Sequence, residues 1–245
     1  MITIGPGITI TGGIGVDGGV GVSPPLPGGV YTLSTGTKAP VLGPVAQSPF
    51  PATGWTSIIS ASADDANTNI SLPFTWTYNS NNYTSFYAVS NFYITFGAGS
   101  SAFTGLTASN PALDKIFFAA ADNSWQRVSS NTSGTDYKRL RFEGTASTSG
   151  TPGAPNMVYE LTFFNPSLTG DVPWVELLVG IQARGNNNVG VISGLYSSSA
   201  KLTGGDLGPF PNRGVAANQS YVMVGNASGT SWTVYTGYYV ANTGY

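Results

Sequence analysis

The first 25 residues repeat every six positions: Ile2-Thr-Ile-Gly-Pro-Gly7, Ile8-Thr-Ile-Thr-Gly-Gly13, Ile14-Gly-Val-Asp-Gly-Gly19 and Val20-Gly-Val-Ser-Pro-Pro25. Each unit sets two β-branched apolar residues around a third residue and closes with a small or turn-forming triplet. Ile2, Ile4, Ile8, Ile10, Ile14, Val16, Val20 and Val22 all occupy even positions, so in an extended chain they form one apolar edge. The only charge before Lys38 is Asp17, and glycine is too frequent for a helix. Such a segment has a stripe to bury and no core of its own, which predicts an extended Gly-rich β-arm used in assembly. Four hexads are too few for a self-supporting β-solenoid. Extended, they reach on the order of 80 Å, enough to add as a strand to a neighbour or to intertwine with two further copies. The arm is expected to order only on assembly.

Composition narrows the rest. Charged residues make up 8% of the chain and the net charge is −2, while 41% is hydrophobic and 12% aromatic. A charge share about a third of the usual one, without the net charge that drives disorder, describes a folding chain whose surface meets other protein. It gives no electrostatic hold on nucleic acid or on an anionic membrane. The absence of cysteine removes disulfides and thiolate chemistry, and the absence of histidine removes the commonest general base and transition-metal ligand. No apolar run reaches the ~18 residues of a membrane helix. The N-terminus has no basic, then continuously apolar, leader, so the Asn-X-Ser/Thr triplets beginning at Asn69, Asn82, Asn131, Asn218 and Asn226 read as chance in an Asn/Ser/Thr-rich chain. No cofactor is expected.

Residues 26–53 form a Pro/Gly-rich linker (Pro27, Pro40, Pro44, Pro49, Pro51) with room for an edge strand near Val30–Leu33. From residue 54 to 202, runs of four to nine aromatic and β-branched residues alternate with Asn/Gly/Ser/Pro clusters. This is the rhythm of an antiparallel β-sandwich, jelly-roll-like in outline. Strands are predicted over Thr56–Ser60, Ile70–Tyr78, Tyr83–Val89, Tyr93–Phe96, Lys115–Ala119, Trp125–Ser129, Tyr137–Gly144, Met157–Phe164, Val175–Ile181 and Val189–Ser193. Asn79-Ser-Asn-Asn82 reads as a hairpin turn. Residues 203–245 add two closing strands, Ser220–Gly225 and Ser231–Val240, packed on the sandwich or on a neighbour.

Alternation along three strands places Glu143, Glu160 and Glu176 beside Arg139 and Arg141 on the outer face of a sheet. The plainest expectation is a solvated charge ladder. The same carboxylates could meet the 5–10 Å spacing of a glycosidase pair, with Trp125 or Trp174 as a stacking platform, but glutamates on a sheet face usually have no catalytic task. Asp64-Asp65 with Asn67 and Asn69 offer hard oxygens to calcium, or form an ordinary polar loop. Aromatics such as Tyr78, Tyr83, Tyr87, Trp125, Trp174 and Tyr235 either fill a core or present a surface to glycans.

The runs Ile70-Ser-Leu-Pro-Phe-Thr-Trp-Thr-Tyr78 and Tyr83-Thr-Ser-Phe-Tyr-Ala-Val-Ser-Asn-Phe-Tyr-Ile-Thr-Phe-Gly97 carry a resemblance. So do Asp122-Asn-Ser-Trp-Gln-Arg127, Arg139-Leu-Arg-Phe-Glu-Gly144, Gly150-Thr-Pro-Gly-Ala-Pro-Asn156 and the opening Ile-Gly-Pro-Gly-Ile-Thr-Ile. Together they resemble virion structural proteins of tailed bacteriophages, cyanophage-like in flavour, with an extracellular β-module. Phe92 departs from that pattern, which usually has Gly there. The resemblance brings no catalytic residues. It implies a non-enzymatic capsid-decorating, fibre or tail-associated component of the virion, partnered with itself (a trimer, if three chains complete a three-faced β-structure) and with other virion proteins. The alternative is a carbohydrate-binding adhesin that recognises host surface glycans through exposed aromatics.

Overall fold

A computed structural model describes residues 31–33, 40–42, 55–60, 62–103, 106–121, 123–145, 155, 157–182, 192–207 and 219–238. Two antiparallel sheets face each other as a sandwich. The smaller holds β5 (Asn67–Tyr78), β6 (Asn81–Val89), β7 (Tyr93–Thr95), β8 (Lys115–Ala120) and β13 (Ile192–Tyr196), in the order β13-β8-β7-β6-β5. The larger runs β15-β14-β12-β11-β10-β9-β3, with β4 also pairing β9. Its strands are β3 (Thr56–Ile59), β4 (Ala63–Asp64), β9 (Ser124–Ser133), β10 (Tyr137–Thr145), β11 (Met157–Phe164), β12 (Trp174–Gln182), β14 (Gln219–Gly225) and β15 (Trp232–Tyr238). Each sheet is mainly a meander of sequential hairpins. β1 (Tyr31–Leu33) and β2 (Pro40–Leu42) pair separately, and β2 lies against β15.

The strands fall where aromatic and β-branched residues alternate, and their inner faces meet in a layer of rings. The Trp76 ring contacts Tyr78, Phe96, Phe163 and Trp232 at centroid distances of 5.8, 5.7, 4.9 and 5.8 Å, joining both sheets. Further along, Phe118 meets Phe142 at 5.1 Å and Tyr159 at 5.6 Å. Edge-on and offset geometries suit the ring quadrupoles. The β5–β6 turn has Asn79 and Ser80 at φ 48° and 63°, as a two-residue type I′ hairpin demands. Their N–H groups donate to the carbonyls of Gly229 and Ser228 in the β14–β15 turn, which ties one end of the two sheets together.

Phe92 explains its own departure from glycine. Its φ is 57°, the left-handed region a phenylalanine enters only at a cost. Yet the residue is fully buried, with its ring 5.5 Å from Tyr159 and about equally far from Phe118 and Phe142 at 6.2 and 6.3 Å. Core contact outweighs the backbone strain. Beneath it sits Gly144, where a Cβ would meet the Ser124 carbonyl at 2.3 Å and the Phe92 ring at 2.8 Å.

The outer face of the smaller sheet is half covered. Leu106 and the rings of Tyr93, Phe117 and Tyr196 form a second apolar cluster there, pinned by Lys115. Its side chain is buried, and Nζ donates to the carbonyls of Ala108, Pro111, Leu113 and Ser197 at 2.7–3.1 Å. One ammonium thereby organises the segment before β8 and the end of β13.

Most predicted strands lie within a few residues of the observed ones. Three differences stand out. Of the strand expected at Val189–Ser193, residues 189–191 lie outside the described residues, and β13 runs Ile192–Tyr196; strands β2 and β4 are additional to the expected set. The two closing strands extend the larger sheet itself, and Trp232 enters the core against Trp76. The arm residues Ile2, Ile4, Ile8, Ile10, Ile14, Val16, Val20 and Val22 lie outside the described residues.

Phe92→Gly is expected to lower stability by about 2–4 kcal/mol, because the lost ring outweighs the relieved strain. A thermal midpoint that stays or rises would show that strain dominates. Lys115→Met strands four carbonyls and should lower the midpoint by roughly 5–10 °C. An unchanged midpoint in thermal melts would remove the ammonium from its organising role.

Candidate functional site

The outer face of the larger sheet carries the charged side chains that the alternation placed there. Register sets them in three rows. Arg127, Glu143 and Val158 share one; Ser129, Arg141, Glu160 and Leu178 the next; Arg139, Thr162, Glu176, Val222 and Tyr235 the third. The three glutamates therefore step diagonally across β10, β11 and β12, with Cα separations of about 8 Å per step from sheet geometry.

Their solvation differs from the expected one. Glu160 and Glu176 are fully buried, and Arg139, Arg141 and Glu143 are 3%, 9% and 7% exposed. This is a buried polar face, not a solvated ladder. Arg141 Nε donates to Glu160 Oε1 at 3.1 Å and Arg139 Nε to Thr162 Oγ1 at 2.9 Å. The half-buried Trp55 ring lies 4.8 Å from the Arg141 guanidinium, and the Tyr137 ring 5.6 Å from that of Arg139, so aromatic faces replace water as cation partners. Glu160 Oε2 and both Glu176 carboxylate oxygens make no hydrogen bond. Burial pushes the Glu176 carboxyl up to about 8. It pushes Glu160 up to about 8 as well, against the pull of Arg139 and Arg141. Burial thus shifts Glu176 toward its neutral form, which is how an unpaired buried acid avoids the cost of its charge.

At the far end of this face the sheet bends. Register shifts occur in β3 between Ser57 and Ile59, opposite Glu143–Gly144 in β9, and in β12 opposite Val158–Tyr159. The three shifts fall within a few residues of one another along the strands, those of β3 and β9 on neighbouring strands, and a bulge bends and re-aims the chain. The β9 bulge inserts Gln126, so that it and Arg127 both line an open cleft of about 470 Å³ with Ser57, Ser60, Glu143 and Pro155. Arg127 Nε pairs closely with Glu143 Oε2, and that carboxylate raises the guanidinium pKa further. Glu143 is the one carboxylate among the described residues lining the cleft. The diagonal spacing would suit a carboxylate pair, but Glu160 and Glu176 are withdrawn from it by burial.

The remaining candidates are placed as follows. Trp125 is 2% exposed and Trp174 1%, so neither offers a ring face to a ligand. Tyr235 is half-buried beside Val222. Tyr78 and Tyr83 pack on Phe96. Asp65 Oδ1 accepts from Asn91 Nδ2 at 3.1 Å, and the Asp64 carboxyl is raised by burial and by Asp65. Among the described residues, no group of three or more acidic side chains gathers as a metal site. The cleft itself was not foreseen: bulges carry almost no local sequence signal, and Gly144 was the one visible hint.

The described residues define a β-sandwich module with a buried polar outer face and a polar cleft beside Arg127 and Glu143. Residues 45–238 match the family model described as NIDO related. The chain belongs to the NIDO-related family. No curated protein and no solved structure matches it.

The raised carboxyls fix a pH response. An acid whose folded pKa exceeds its unfolded value stabilises the fold fully below the unfolded value, near 4.5, and that contribution is lost as pH rises to about 8. Denaturant stability should fall across that window, and Glu176→Gln, which keeps the shape without the proton, should flatten the fall. Equal slopes for wild type and variant would place Glu176 outside the effect.

Proposed function

We propose that the chain is a non-enzymatic building block of a bacteriophage particle, a capsid-decorating, fibre or tail-associated subunit that assembles through residues 1–25. The observation that carries this reading is the arm: eight β-branched residues on strictly alternate positions with a single charge among them. That pattern has a function only when another chain supplies the second surface. The resemblance of the aromatic runs to virion proteins supplies the setting. NIDO-like domains are generally extracellular, which suits a subunit displayed outside a particle. The low charge content suits a surface used against protein neighbours.

The adhesin alternative through Trp125, Trp174 and Tyr235 loses support, since both tryptophans are buried. Self-association, a trimer by the three-face geometry, is the first partner; other virion proteins are the second.

Light scattering after gel filtration tests the reading on the full chain. The wild type is expected as an oligomer, and Ile8→Asp with Ile14→Asp, which put two charges into the apolar stripe, as a monomer. A wild-type monomer, or an oligomer that the double substitution leaves intact, would overturn arm-driven self-assembly.

A further inference from the structure

The cleft beside the bulges has the construction of a binding site. Residues beside the bulges of β3 and β9 line it, and bulges recur where a sheet re-aims side chains toward a ligand. Its volume of about 470 Å³ falls in the range of small-molecule sites. Polar groups converge there. The Arg127 side chain is 55% exposed and donates through Nε to Glu143, whose side chain is 9% exposed and forms the inner half of the pair. The exposed Ser57 and Ser60 supply hydroxyls on the β3 side.

Charge decides the class of ligand. Arg127 is already neutralised by Glu143, so the floor has no net charge to draw in an anion. A carboxylate or phosphate approaching the free guanidinium nitrogens would also meet the Glu143 oxygens. A ligand that accepts from a guanidinium and donates to a carboxylate through adjacent atoms satisfies both, and neighbouring hydroxyls on a sugar ring do this. We propose that the cleft lined by Ser57, Ser60, Gln126, Arg127, Glu143 and Pro155 binds a neutral hexose chain, with the Arg127–Glu143 pair holding vicinal hydroxyls. The charge-assisted bonds carry the affinity. This site is separate from the arm and does not depend on how the chain assembles.

Affinity electrophoresis of the full chain in native gels tests it, with dextran, mannan, galactan or polygalacturonate cast into the gel. Wild type is expected to be retarded by at least one of the three neutral polymers and not by polygalacturonate. Arg127→Ala should weaken that retardation on the order of tenfold. Glu143→Gln, which unpairs Arg127, should weaken it too and introduce retardation by polygalacturonate. Ser57→Ala with Ser60→Ala alters only exposed hydroxyls and should reduce neutral-polymer retardation without touching the fold, as thermal midpoints would verify. No retardation by any neutral polymer, retardation by polygalacturonate alone, or neutral retardation unchanged in both Arg127→Ala and the serine pair would each overturn the proposal.

Discussion

Contact between Trp76 and rings from both sheets is the interaction on which the remaining geometry depends. Phe96 and Tyr78 approach it from its own sheet, and Phe163 and Trp232 from the other. A sandwich closes at a spacing of about 10 Å only when the two inner faces interdigitate, and large rings do so with few side chains. Trp232 belongs to the last strand, so the core is complete only after the chain has returned to the larger sheet. The same strand pair presents Ser228 and Gly229 to the β5–β6 turn. Ring packing and end-to-end hydrogen bonding therefore fix one alignment of the sheets.

The buried polar face acts on register. If β10 slipped by one residue, Arg139, Arg141 and Glu143 would enter the aromatic layer while Leu140 and Phe142 turned outward. Charges buried in pairs add little net stability, and a hydrophobic replacement is often no worse. Their effect lies in the cost of every wrong pairing. Arg141 beside Glu160 and Arg139 beside Thr162 satisfy one register of β10 against β11. Glu176, with no bond to either oxygen, adds nothing to this discrimination and titrates instead.

Strand positions were legible because alternation is local: Tyr137–Thr145 and Met157–Phe164 could be read residue by residue, including which face each charge would take. Solvation was not legible, since a face outside the core looks the same in sequence whether water or protein lies on it. Trp125 and Trp174 show the same limit, being equally compatible with a core and with a binding platform until tertiary packing decides. Phe92 was visible as an anomaly, but only its surroundings explain why a ring occupies a glycine-like backbone conformation. The cleft was least legible of all. It lies beside the extra residues of β3 and β9, and that juxtaposition exists only once the strands are paired.

The distribution of charge bears on both proposed contacts. The chain has nine basic and eleven acidic residues, and Arg127, Arg139, Arg141, Glu143, Glu160 and Glu176 place six of these on one sheet face. Lys115 and Asp114 take two more into an internal network, where Asp114 accepts from Asn79 and Tyr83 at 2.9 Å. So few charges remain for the surface that long-range steering contributes little to any encounter. Recognition must then rest on apolar burial and short hydrogen bonds, which salt screens weakly. The two contacts proposed for this chain, strand addition by the arm and hydroxyl recognition by the Arg127–Glu143 pair, both fit that restriction.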